Sequence, residues 1–166
     1  MGSSVIDQSA RQRLAEGIRH LASGRITNDE FEERYGRPAA ACADPGVRAV
    51  FWQGAWLLYS DFTTTRYSGN QRLPRDARRH IARWVMFLRS SLPYEWPLAS
   101  WWENLAWLPA HVVTLGFSAR LRARSWRRGG DYSVWPFRRS SDYRAALRHP
   151  VYLRGRQSRY EKPQAI

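Results

Sequence analysis

The apolar positions of this chain repeat with a helical period in several separate stretches. Leu14, Ile18 and Leu21 recur three or four residues apart from about Ala10, and Gly24 follows where a helix needs a left-handed residue to stop. Thr27 then caps a second helix. Glu30, three residues on, completes a capping box, and Ile26 and Phe31 are placed to form a hydrophobic staple across it. Asp29 and Glu30 add negative charge in the first turn, where the helix dipole favours it. Residues 1–36 are thus predicted to be two short helices folded back on one another.

At Ala22 to Tyr35, reading ASGRITNDEFEERY, the sequence resembles the short helical hairpins of the SHOCT type, over about residues 10–35. The resemblance implies a small packing or oligomerisation module of the kind attached to other domains. It carries no catalytic residues. An ordinary helical hairpin would use the same capping chemistry.

Beyond the hairpin, GRPAAACADPG reads as a linker punctuated by Gly36 and Pro38. Asp44-Pro45 is a cap followed by a first-turn proline, and it opens a third helix running to about Ser60. Val47, Val50, Phe51, Trp52, Ala55, Leu58 and Tyr59 give that helix a wide apolar face, which predicts a central position. A polar loop, TTTRYSGNQRLP, leads to the most two-faced helix of the chain, from about Pro74 to Ser91. Ala77, Ile81, Trp84, Val85 and Leu88 form its buried stripe. Arg75, Arg79 and Arg83 line up four apart on the other side, beside Arg72, Arg78 and His80. Like charges at this spacing oppose an isolated helix by a few tenths of a kcal/mol per pair, roughly, so an acidic surface is expected to face them. The plainer alternative is a solvated face whose arginine stems cover apolar surface.

PYEWP breaks the chain, and Leu98 to Leu108 carries Trp101, Trp102, Leu105 and Trp107. This segment is far shorter than the roughly 20 apolar residues a spanning helix needs, so it is read as buried or interfacial. An arginine-rich stretch follows with Arg120, Arg122, Arg124, Arg127 and Arg128. Gly129-Gly130 permits a turn, Tyr132 to Trp135 reads as a short strand, and Ser140 or Ser141 caps a last helix ending near Arg148. The fold class is therefore mainly α. A compact helical domain over 45–150 follows the hairpin, with one minor β element near 132–135 and a basic, extended tail over 151–166.

Charge sharpens this picture. The chain has 27 lysine and arginine residues against 14 acidic ones, a net +13, and Lys162 is its one lysine. Residues 1–35 hold six acids against five bases, so the whole excess lies after them. Such a body attracts polyanions: nucleic acid, an anionic membrane surface or an acidic protein. The arginine skew is also what a GC-rich genome produces. Nine tryptophans, each able to bury about 150–250 Å², supply more than enough apolar surface for a core in 166 residues. Cys42 is the single cysteine and no secretory leader is evident, which predicts a cytoplasmic protein of bacterial type.

Candidate chemistry is sparse. There is no phosphate-cradling or dinucleotide-binding glycine pattern, and one cysteine with four scattered histidines makes no zinc signature. Glu16 and His20 lie one turn apart and could share a metal, but read more simply as exposed neighbours. Cys42 has no partner that would make it a nucleophile. Glu95 and Glu103 among tryptophans are the acid pair a glycosidase would use, and equally the salt-bridge partners of nearby arginines. No catalytic residue, metal or cofactor is predicted. The expected function is non-enzymatic: binding an acidic protein partner, or itself, through Arg75, Arg79, Arg83, Arg120, Arg122, Arg124, Arg127 and Arg128, with Trp126 and Trp135 as exposed aromatic anchors. The alternative is sequence-nonspecific nucleic-acid binding by the same arginines. Peripheral contact with an anionic membrane is a third reading.

Overall fold

The computed structural model describes residues 5–58, 63–69, 72–96 and 130–149. These residues are mainly helical, and no strand occurs among them.

Helix α1, Gln8–Ala22, starts at Asp7, whose carboxylate accepts from the Ala10 amide at 2.9 Å. Its buried stripe is Ala10, Leu14, Ala15, Ile18 and Leu21, joined by Arg11. Gly24 ends the turn at φ +68°, and a Cβ there would stand 2.4 Å from the Tyr67 carbonyl oxygen. Both backbone conformation and space therefore demand glycine. Helix α2, Asn28–Phe31, opens with the capping box: Thr27 Oγ1 accepts from the Glu30 amide at 3.2 Å, and Glu30 Oε2 accepts from the Thr27 amide at 2.8 Å. Ile26 and Phe31, the two staple positions, are both buried.

The first part of the segment read as a linker, through Ala40, is helical. Helix α2 passes through a π-turn, Glu32–Gly36, into α3, Arg37–Ala40. Proline in the first turn of α3 costs no hydrogen bond, alanine is the best helix former, and the missing side chain of Gly36 lets the Phe51 ring approach. Helix α4, Pro45–Gln53, begins at the predicted cap but is shorter than expected. It stops at Gly54, where a Cβ would meet the Trp84 ring at 3.1 Å, and continues as a 3-10 turn, Ala55–Leu58.

Helix α5, Arg75–Arg89, is the hub, packing against α1, α4 and the last helix, α6, Ser140–Leu147. Ile81 and every residue from Trp84 to Leu88 are buried. The expected strand near 132–135 is instead a 3-10 turn, Tyr132–Val134. Asp131 imposes it locally by accepting from the Ser133 amide at 3.0 Å, and Trp96 Nε1 holds the chain beyond it by donating to the Pro136 and Phe137 carbonyls. Residues from Ala10 on α1 to Ala146 on α6 join in one hydrophobic cluster, so the hairpin and the helices after it share a core. The Leu98 to Leu108 segment, the arginine cluster of 120–128 and the 151–166 tail lie outside the described residues.

Candidate anion-binding groove

Helices α1 and α5 run antiparallel. The start of α1 lies at the end of α5, where Arg11 Nη1 donates to the Ser90 and Leu92 carbonyls at 3.2 and 2.7 Å and Gln8 Nε2 donates to Ser90 at 3.2 Å. Along the seam between the two helices opens a cavity of about 560 Å³. This lies within the range of roughly 300–1,000 Å³ typical of ligand sites.

Its walls follow from helical periodicity. On α1, Glu16, Arg19, His20 and Ser23 fall at i, i+3, i+4 and i+7, opposite the buried stripe. On α5, Arg78, Ala82, Val85 and Arg89 make a second stripe, arginine at both ends and apolar between. Leu73 and Ile81 complete an apolar floor, and Arg25 and Arg72 close one end. Five arginines from three parts of the chain thus surround one apolar surface. Glu16 is the one acidic side chain among the described lining residues.

The electrostatics bring two of these arginines close to one another. Burial, and after it the positive charge of Arg19, holds the Arg89 guanidinium below the usual arginine range, with Glu16 acting in the opposite sense. Arg89 remains charged at neutral pH, since an arginine starts so high.

Tyr67 forms the wall where α1 ends, and burial pushes its hydroxyl pKa up. That hydroxyl donates to the Leu58 carbonyl. The loop carrying it is fixed by Asn28, whose own amide donates to the Thr65 carbonyl at 3.1 Å. The Asn28 side chain donates to the Thr63 carbonyl at 3.0 Å and accepts from the Thr65 amide at 2.6 Å. An ion pair, Arg66 to Glu30 at 3.8 Å, lies on the same side. Nothing in the local sequence distinguished Asn28 from an ordinary first-turn residue.

The arginines singled out by their spacing are not the ones brought together. Arg75 and Arg79 are exposed on another face of α5, with Arg79 3.4 Å from Asp76. Arg83 is half-buried, donates to the Ser133 carbonyl and stands 5.8 Å over the Tyr143 ring, tying α5 to the segment that carries α6. Arg72 and Arg78, read only as their neighbours, line the groove instead, with Arg19, Arg25 and Arg89. Arg120, Arg122, Arg124, Arg127, Arg128 and Trp126 lie outside the described residues.

Trp135 is corrected from exposed anchor to core residue. It is 8% exposed, packs edge-on against Trp84 and donates from Nε1 to the Tyr94 hydroxyl at 3.3 Å. A strand would have alternated Val134 and Trp135 between two faces, whereas the turn sends both inward. Exposed aromatic surface occurs instead at Trp52, 49% exposed, and at Tyr132, neither of which lines the groove. Glu95 pairs with Arg138 at 3.1 Å, and Glu16 with His20 at 3.9 Å. Among the described residues no group of three metal-ligating side chains occurs, and no helix is long and apolar enough to cross a membrane. Comparison with protein-family models, curated proteins and solved structures gives no match.

Proposed function

We propose that this chain is a non-enzymatic interaction protein that receives an acidic segment of a protein partner in the groove between α1 and α5. The observation that carries this reading is the placement of Arg19, Arg25, Arg72, Arg78 and Arg89 around an apolar floor. Arginine beside apolar surface is the residue mix that concentrates interface energy, because the guanidinium can pair bidentately with a carboxylate while its stem packs. The hairpin that resembles SHOCT modules supplies one wall. Nucleic-acid binding draws less support, because single strands are held by several exposed aromatic faces beside basic groups, whereas of the described aromatics Tyr67 alone lines the groove, half-buried with its hydroxyl bonded to the Leu58 carbonyl, and Trp52 and Tyr132 lie elsewhere. The reading needs no cofactor, and a cytoplasmic setting, suggested by the lone Cys42, is part of the proposal.

Fluorescence anisotropy of the full chain with a labelled glutamate-rich peptide and with DNA of matched charge tests it. The peptide should bind saturably and weaken about tenfold in the Arg78→Gln/Arg89→Gln double variant, a loss of about 1.4 kcal/mol, while Arg144→Gln on α6 binds as the parent does. DNA bound more tightly than the peptide, and unaffected by the double variant, would move the function to nucleic acid.

A further inference from the structure

Resting on the acidic-segment reading, we infer that the groove is two-ended and takes an extended segment with a carboxylate at each end of an apolar centre. The arginines fall into two groups. Arg89 ends α5 and lies near Arg19, while Arg78, Arg25 and Arg72 sit at the opposite end, where α1 stops. Arg78 and Arg89 are eleven positions apart on one helix, which separates them by about 16 Å along its axis. Between them the surface is Ile81, Ala82 and Val85, which offers nothing to a carboxylate and an apolar contact to a side chain.

This layout sets the length of its occupant. An extended backbone advances about 3.3 Å per residue, so two carboxylates about five residues apart reach both groups at once. A helical occupant, advancing about 1.5 Å per residue, would need its acids about eleven residues apart, so the acid spacing that binds best separates the extended form from the helical one. Closing the second end is then intramolecular, so the two-ended segment gains over a one-ended segment without any new kind of contact.

Three labelled peptides measured by anisotropy on the full chain decide the matter: acids about five residues apart around leucines, the same acids adjacent, and a single terminal acid. The widely spaced peptide should bind about tenfold more tightly than either other. Arg89→Gln, and separately the exposed Arg25→Gln, should each bring its affinity down to that of the single-acid peptide. Equal binding of the spaced and adjacent peptides overturns the two-ended inference while leaving an acid-binding groove. Failure of all three to bind overturns both.

Discussion

Arg11 and Asp44 meet at 2.6 Å with neither side chain exposed to solvent. The guanidinium is paired on both sides. Nε and Nη2 donate to the two carboxylate oxygens of Asp44, Nη1 donates to the Ser90 and Leu92 carbonyls, and the Phe87 ring lies 5.1 Å away. Asp44 in turn accepts from the Gly46 amide at 2.7 Å and the Asp7 amide at 3.0 Å, capping α4 and fixing the entry to α1. One ion pair therefore joins α1, the start of α4 and the end of α5, and so sets the seam on which the groove lies.

Breaking that pair from one side should be costly, because it strands a buried charge. Arg11→Met and Asp44→Ala are each expected to lose about 3–5 kcal/mol of unfolding free energy in urea titrations. The double variant should lose clearly less than the sum, since neither charge is then left alone. Additive losses would show that the pair is not coupled.

Two glycines with positive φ should respond differently to alanine. At Gly69, φ +56°, a Cβ meets nothing within 4 Å, so only backbone strain of about 1–2 kcal/mol is added. At Gly24 the same strain comes with a 2.4 Å clash against the Tyr67 backbone. Gly24→Ala should therefore lower the melting temperature more than Gly69→Ala and weaken acidic-peptide binding, because Tyr67 lines the groove.

Glu16 occupies the Arg19–Arg89 end with a carboxylate of the protein's own. Replacing it by glutamine removes a competitor for the incoming acid. Glu16→Gln should tighten binding of the glutamate-rich peptide about threefold at low salt, with the gain fading as screening increases. Weaker binding in Glu16→Gln would count against the groove as the carboxylate site.

Alkaline pH should find a specific weakness at Tyr94. Burial, only partly opposed by the hydrogen bond from Trp135, pushes its hydroxyl up to about 12, above the ordinary value near 10. The folded chain holds this proton more tightly than the unfolded chain does, so the stabilisation is complete below about pH 10 and is lost as pH rises toward 12. Urea midpoints should fall across this window. Tyr94→Phe should flatten the fall, while losing about 1 kcal/mol at neutral pH through the broken bond to Trp135.

Sequence alone determined the features whose physics closes within a few residues: the capping box at Thr27 and Glu30, the cap and first-turn proline at Asp44 and Pro45, and the buried stripe of α5. Each is a short-range hydrogen bond or a periodicity. The Gly36 to Ala41 stretch misled because glycine and proline suit linkers and helix first turns alike, and the close packing of Phe51 on Gly36 is a tertiary contact that the local sequence does not show. Tertiary structure decided what depended on distant partners. Arg11 joins a buried stripe because Asp44, Ser90 and Leu92 surround it, and Trp135 turns inward because Tyr94 and Trp84 receive it. The groove itself exists because an antiparallel seam sets the polar stripe of α1 beside the arginine ends of α5. Periodicity places residues on a face of one helix, but only packing chooses which faces meet.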